Sequence, residues 1–177
     1  MTAEQSKKGC LLFDWGDTLM RVFPQFKGPM IAWPRVEAMP YAREVLENLQ
    51  HKWILALATN TTNSDATQVE NALQRCELGG LVELIFSFRE VGHRKPSDEF
   101  YAHILQGLAL DRSHVFMIGD DYYADILGAN RSGIRGIWYN WRSPLSHQND
   151  MHRTIHDLRE VPAALEQLLG HDQIDRI

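Results

Sequence analysis

The sequence predicts an α/β fold, a parallel Rossmann-like sheet with helices on both faces in a three-layer α/β/α arrangement. Two observations lead to this prediction. Short apolar runs alternate along the chain with segments whose apolar residues recur at helical spacing, and polar residues follow the ends of the early runs. Parallel strands need crossover helices, which cover both faces of the sheet. With 177 residues, 44% of them hydrophobic, the chain suits a single domain over residues 1–177.

Five apolar runs are expected to form the strands. The first reads CLLF and ends abruptly at Asp14, which is typical of a buried strand that delivers a polar side chain to its carboxyl end. The strands are expected at residues 10–13, 53–58, 84–86, 115–118 and 136–139. A polar segment follows the fifth strand and continues to Arg153. Because the strands are parallel, their carboxyl ends share one edge, where open α/β sheets bind ligands.

Amphipathic segments between the runs predict the helices. In the first, Ala42, Val45, Leu46 and Leu49 recur at i, i+3, i+4 and i+7 spacing, which implies one buried face. The expected helices are residues 41–50, a helix capped by Ser64 and stopped at Gly79 and Gly80, a helix capped by Ser97, a helix that ends at Gly133, and residues 162–169.

Residues 20–40 have four prolines, several aromatic residues and no clean period. We expect a loop or irregular hairpin that acts as a flap near the site. Besides this stretch, the helix expected at residues 41–50 must also fit between the first and second strands, and the stretch between the second strand and Arg94 leaves room for one helix and one strand. The spacing therefore excludes a separate cap domain.

The composition bears on partners and location. The formal net charge of −5 gives no electrostatic reason to expect nucleic acid or an acidic membrane surface as partner. Cys10 and Cys76 are expected to be buried thiols, because their spacing fits neither a zinc site nor a disulfide framework. The sequence shows no signal peptide and no apolar run of about 18 residues. A cytoplasmic protein that does not enter the membrane is the expectation.

Polar side chains collect at the carboxyl edge of the predicted sheet. They are Asp14, Asp17, Thr59, Asn60, Lys95, Asp120, Asp121 and Asp125. Carboxylates that converge there repel one another unless a cation binds them, and hard oxygen ligands suit Mg²⁺. A lysine, a hydroxyl and backbone N–H groups supply what a phosphoryl group needs. A carboxylate beside the metal can then attack phosphorus as a nucleophile.

Four segments in order, LLFDWGDTL, ALATN, RKP and VFMIGDDYYADILGANRSGI, resemble the motifs of the haloacid dehalogenase-like hydrolase superfamily. The resemblance covers most of the chain and implies that fold. It implies a Mg²⁺-dependent phosphohydrolase that forms an aspartyl phosphate on Asp14. It also implies that Thr59, with Asn60, and Lys95 bind the phosphate, and that Asp14, Asp120 and Asp125 bind the metal. The resemblance assigns no role to Asp121.

One position departs from the resemblance. Phosphatases of that family usually read DxDGT, whereas this chain reads DWGDT, so that Gly16 stands where the acid/base carboxylate is expected. The metal site need not suffer, because the family uses the backbone carbonyl of that position as a ligand. A positioned acid/base contributes about 10² to 10⁴ in rate. We therefore expect slow turnover, or turnover limited to good leaving groups, unless Asp17 serves as the catalytic acid.

The absence of a cap domain resembles the capless members of that superfamily. An open site suits a large phosphorylated substrate, or a small one that a neighbouring subunit of a homo-oligomer shields, and both alternatives stay open. Aromatic residues in 23–33 and 138–141 are candidates for a substrate rim, although aromatic residues also pack for their area alone.

Two further functions compete with the phosphatase. One is a phosphate-binding or phospho-accepting regulatory domain with little turnover, which Gly16 favours. The other is a degenerate fold kept for protein contacts, which the remaining site residues disfavour.

Overall fold

The computed structural model describes residues 7–170. Six parallel strands form one sheet in the order β3-β2-β1-β4-β5-β6. Their bounds are β1 (Cys10–Phe13), β2 (Ile54–Thr59), β3 (Leu84–Ser87), β4 (Val115–Gly119), β5 (Arg135–Tyr139) and β6 (His152–Ile155). Strands β1 and β4 are buried along their whole length, as continuous apolar runs in a parallel sheet should be.

Helices cover both faces of the sheet. Their bounds are α1 (Ala42–Leu49), α2 (Ala66–Arg75), α3 (Phe88–Val91), α4 (Asp98–Leu108), α5 (Gly128–Arg131) and α6 (Val161–Gly170). Alternate residues of β1 separate the two cores: Leu11 and Phe13 pack with α1, α2 and α6, whereas Cys10 and Leu12 pack with α4 and α5. The predicted three-layer α/β/α architecture is confirmed.

The strand order fixes where the polar strand ends meet. From β1 the chain moves outward to β2 and β3, and it then returns to the other side of β1 to form β4. This reversal opens a crevice beyond the carboxyl ends of β1 and β4. Phe13 pairs with Ile118 in register, so Asp14 comes one residue after this pair and Asp120 comes two residues after it, at the same edge of the sheet.

Four local features differ from the sequence prediction, and one is that α2 ends at Arg75 rather than at Gly79 and Gly80. Asp65, not Ser64, caps α2, because its carboxylate accepts the N–H of Gln68 at 2.8 Å while the Gln68 side chain bonds back. Strand β6 begins inside the segment that was expected only to be polar and to continue to Arg153. The helix after β4 begins as a π-helical turn at Tyr122–Leu127 before it continues as α5.

Residues 20–40 form an irregular flap with one 3₁₀ turn at Met30–Ala32. The two ends of the flap pair with each other, since Arg21 N donates to Glu37 O at 2.9 Å. Arg75 of α2 donates to the carbonyls of Ile31 and Trp33 at 2.6 and 2.8 Å. These bonds tie the flap to the helix that follows β2.

Within residues 7–170, the helices are too short or too polar to cross a bilayer.

Candidate active site

Three carboxylates meet at the crevice between β1 and β4. Asp14 follows β1, Asp120 follows β4, and Asp125 lies in the π-helical turn after β4. One oxygen of each lies within 4.8 Å of the others. Three negative charges this close repel one another strongly, so the arrangement requires neighbouring cations.

Asp125 reaches the cluster because β4 ends in glycine. A Cβ built at Gly119 would lie 2.1 Å from Asp125 Oδ2, so a side chain there would displace the carboxylate. The same oxygen accepts the N–H of Asp121 at 3.1 Å. The Asp125 side chain is 1% exposed. Burial raises its pKa, the Asp14 charge adds to the rise, and Lys95 opposes it.

Lys95 is the buried cation of the cluster. Its side chain is 2% exposed, and its Nζ lies 2.6 Å from Asp14 Oδ1 and 2.7 Å from Asp125 Oδ1. Burial alone would lower the pKa of Lys95, but the two carboxylates raise it above its ordinary value. Lys95 is therefore charged, and it links Asp14 to Asp125.

Asn60 holds Lys95 in place through the main chain. Its side-chain amide donates to Lys95 O at 2.9 Å and accepts from Lys95 N at 2.8 Å. Thr59, the last residue of β2, is nearly buried, and its Oγ1 accepts the N–H of Thr61 at 3.2 Å. The end of β2 thus presents a hydroxyl beside an amide that positions the lysine.

The donor set fits Mg²⁺. Carboxylate oxygens are the ligands this ion prefers, and three of them converge here. Asp125 Oδ1 already pairs with the Lys95 ammonium at 2.7 Å. The case for the metal therefore rests on the three converging carboxylates. Gly16, whose carbonyl is the expected fourth ligand, borders the same cleft as Asp14.

Asp120 is held by groups from three other segments. Its N–H donates to Thr18 Oγ1 at 3.1 Å, and its carbonyl accepts Trp138 Nε1 at 2.9 Å. Its Oδ2 lies 2.5 Å from the guanidinium of Arg142. Burial raises the pKa of Asp120, the Asp14 charge adds to the rise, and Arg142 opposes it.

The carboxylate of Asp17 bonds to residues outside the cluster of three carboxylates. The residue adopts a left-handed conformation with φ of 57°. Its Oδ1 accepts the N–H of Val22 at 2.9 Å, and its Oδ2 lies 2.5 Å from the guanidinium of Arg142. Arg142 therefore bridges Asp17 and Asp120. The acid/base role of Asp17 stays a prediction.

The structure gives Asp121 a structural role that the sequence left open. Its carboxylate accepts the N–H groups of Tyr123 and Ala124 at 3.0 and 2.9 Å and so caps the π-helical turn. This cap fixes the start of the turn that carries Asp125.

Sequence reasoning missed Arg142 and Thr18. Arg142 follows β5 within the sequence NWR and bonds to Asp17, 125 positions earlier. The available signal was position, since Arg142 comes just after a strand end at the same edge of the sheet. Thr18 belongs to the DWGDT motif, but it is fully buried. Its bond to Asp120 depends on the folded structure, so the sequence alone gave no signal for it.

Comparisons with known proteins find a matching family and similar sequences. The model of a family described as haloacid dehalogenase-like hydrolase matches residues 11–139. A ribulose-1,5-bisphosphate 5-phosphatase of Halopiger xanaduensis is 35% identical over 104 residues, and a glyceraldehyde 3-phosphate phosphatase of Pyrococcus abyssi is 28% identical over 103 residues. Each match covers 58% of this chain and 42% of the relative, so the match spans less than half of either relative's length.

A solved structure matches over nearly the whole chain. It is that of an uncharacterized protein from Listeria monocytogenes serotype 4b, which superposes with a TM-score of 0.78 at 28% identity. The match covers 92% of this chain and 99% of that chain. The fold described here thus occurs elsewhere at about the same size.

Proposed function

We propose that this chain, which belongs to the haloacid dehalogenase-like hydrolases, is a Mg²⁺-dependent phosphatase that forms an aspartyl phosphate on Asp14. The observation that carries the proposal is the cluster of Asp14, Asp120 and Asp125 around the buried Lys95. The matched relatives, which are phosphatases of small phosphorylated compounds, support a phosphate ester as substrate.

The metal would be held by Asp14, Asp120 and Asp125 together with the backbone carbonyl of Gly16. When bound, Mg²⁺ supplies positive charge that offsets the carboxylates and the phosphoryl oxygens. Lys95 supplies a second positive charge beside Asp14, at 2.6 Å from Oδ1. The Thr59 hydroxyl and the backbone N–H of Asn60 supply hydrogen bonds for the remaining phosphoryl oxygens.

Two displacements complete the reaction. In the first, a carboxylate oxygen of Asp14 forms a bond to phosphorus and the bond from phosphorus to the leaving oxygen breaks, so that the leaving group departs with the electron pair of that bond. In the second, water attacks phosphorus, the acyl phosphate bond breaks, and Asp14 and inorganic phosphate are released. Only the first step needs a proton for the leaving group.

The proton source sets the range of substrates. Gly16 offers no carboxylate, and Asp17 bonds to Val22 and Arg142. The aryloxide of an activated aryl phosphate leaves without a proton, whereas the alkoxide of an alkyl phosphate needs one. We therefore expect faster turnover of aryl phosphates, with Asp17 as the predicted acid for slower ones.

A second candidate function rests on the same glycine. A regulatory domain that accepts a phosphoryl group without rapid turnover needs Asp14, Lys95 and the metal but no acid/base. Gly16 favours it over an efficient enzyme. Steady-state turnover separates the two, because a regulatory domain stops after one equivalent.

The test is hydrolysis of an activated aryl phosphate with Mg²⁺. We expect multiple turnovers that EDTA abolishes, and no activity in Asp14→Asn. Asp111→Asn is the matched control, since Asp111 is an exposed aspartate that caps the turn before β4 and lies outside the cluster. Full activity in Asp14→Asn would overturn the nucleophile assignment.

A further inference from the structure

A cleft of about 320 Å³ opens beside Asp14. Its base is formed by Asp14, Trp15 and Gly16, and its two sides come from the flap and from the loop between β2 and α2. A leaving group attached to a phosphoryl at Asp14 has this space next to it. The volume is at the lower end of the range for ligand pockets, about 300 to 1,000 Å³, which suits a small compound.

The two sides of the cleft differ in chemistry. The flap contributes Val22, Met30 and Trp33, which form an apolar wall. The opposite loop contributes Thr61, Asn63 and Ser64, which carry hydroxyl and amide groups. Such an amphipathic cleft matches a compound with a hydrocarbon face and several hydroxyl groups.

Ser64 supplies an unsatisfied polar group on the polar wall. The residue is 1% exposed, and its Oγ has no hydrogen-bond partner among residues 7–170. The hydroxyl is free because Asp65 caps α2 in its place. A buried hydroxyl without a partner is unfavourable unless something else bonds to it. A ligand hydroxyl would satisfy it once the Ser64 side chain turns toward the cleft, since the Oγ atom is buried.

The cleft carries no positive side chain. None of the described residues that border it is lysine, arginine or histidine, and Asp14 is an acid. Lys95 lies close to Asp14 but does not border the cleft. A second phosphate group on the substrate would therefore enter a space that offers it no charge neutralisation.

We infer that this cleft is the leaving-group subsite and that it selects the monophosphate of a small, uncharged polyhydroxy compound, a sugar or polyol, with Ser64 as a specificity-determining residue. The inference rests on the proposed phosphatase function. It excludes bisphosphates as good substrates, which sets this chain apart from the relative named as a ribulose-1,5-bisphosphate 5-phosphatase.

The first test compares kcat/KM for a sugar monophosphate, the bisphosphate of the same sugar and an aryl phosphate, all with Mg²⁺. We expect the bisphosphate to be at least tenfold worse than the monophosphate. A bisphosphate that is as good or better, alongside aryl phosphate turnover, overturns the subsite but leaves the phosphatase. Failure to hydrolyse aryl phosphate overturns both.

The second test changes Ser64. In Ser64→Ala we expect the ratio of kcat/KM on the sugar monophosphate to kcat/KM on the aryl phosphate to fall at least fivefold, because only the sugar has hydroxyls to bond. Thr67→Ala is the matched control, since Thr67 is exposed at the start of α2 and does not border the cleft. A ratio unchanged in Ser64→Ala refutes the role of Ser64.

Two further measurements separate a loss of substrate contact from other effects of the substitution. Removing an unpaired buried hydroxyl should leave the melting temperature of Ser64→Ala equal to or above that of the unchanged protein, whereas a hydroxyl with a structural role would lower it. Asn63→Lys places a cation at the exposed edge of the cleft. It should raise kcat/KM on the bisphosphate relative to the monophosphate, and no such gain contradicts the charge argument.

Discussion

The site has an inner group of charges, Asp14, Lys95 and Asp125, and an outer group, Asp17, Asp120 and Arg142. In the inner group, the Lys95 and Asp125 side chains are 2% and 1% exposed. In the outer group, the Arg142 side chain is 47% exposed. Removing one partner of a buried ion pair strongly destabilises the folded protein, whereas an exposed ion pair contributes little to its stability. The two groups therefore differ in their cation, which is buried in the inner group and about half exposed in the outer one, while the Asp14 and Asp120 side chains are both 14% exposed.

The largest expected effect comes from removing the inner cation. Lys95→Met leaves two carboxylates without their buried partner, which should destabilise the protein by about 3–5 kcal/mol and abolish phosphatase activity. Urea denaturation measures the change. Lys52→Met is the control, because Lys52 is exposed, and a surface substitution usually changes stability by less than about 0.5 kcal/mol. A Lys95→Met protein as stable as the control would mean that the inner group is not held by charge.

The next effect concerns the missing acid. Gly16→Asp should raise kcat on alkyl phosphates by about 10²-fold, the low end for a positioned acid/base, because its Cβ would lie 3.0 Å from Val22 Cγ2 and the flap must move. A Gly16→Asp/Val22→Ala double variant removes this contact and should gain more. Steady-state kinetics on alkyl and aryl phosphates measures both. No gain, together with a large loss in Asp17→Asn, would instead identify Asp17 as the acid.

A smaller effect is expected at Gly119. The Cβ of Gly119→Ala would overlap Asp125, so we expect a loss of about 1–3 kcal/mol, as for overpacked sites, and weaker Mg²⁺ binding by calorimetry. Gly107→Ala is the control, since its Cβ meets Phe86 at an ordinary 3.6 Å within α4, where alanine should stabilise by about 1 kcal/mol. Equal stability in both variants would show that Asp125 does not depend on the glycine.

The smallest effect is expected in the outer group. Arg142→Gln removes an arginine that is about half exposed, so the free energy of unfolding should change by less than about 1 kcal/mol, and less again at high salt. Denaturation at two salt concentrations measures this. A loss as large as that of Lys95→Met would remove the distinction between the two groups.

The sequence pointed to five of the six residues in the two groups and missed Arg142, for a physical reason. Asp14, Asp17, Lys95, Asp120 and Asp125 stand at strand ends or in motifs whose order along the chain carries information. Arg142 has no local signal, because its contacts join positions 17, 120 and 142, and those contacts exist only after the sheet has formed.

The fold shows the same division between local and tertiary signals. The five predicted strands are apolar runs, whereas β6 reads HRTI and is completed by pairing with β5. The cap of α2 did have a local signal that was misjudged, since Asp65 and Gln68 form a capping box and Ser64 does not take part. Ser64, which the sequence prediction took as the cap, is the residue whose hydroxyl has no partner among the described residues.

The most direct test of the central claim is to find the covalent intermediate. The protein is mixed with an aryl phosphate and Mg²⁺, quenched in acid, digested and mapped by mass spectrometry. The account predicts a phosphoryl group on Asp14 in the unchanged protein and none at that position in Asp14→Asn. A phosphoryl group on another residue, or turnover without any phosphorylated peptide, would contradict it.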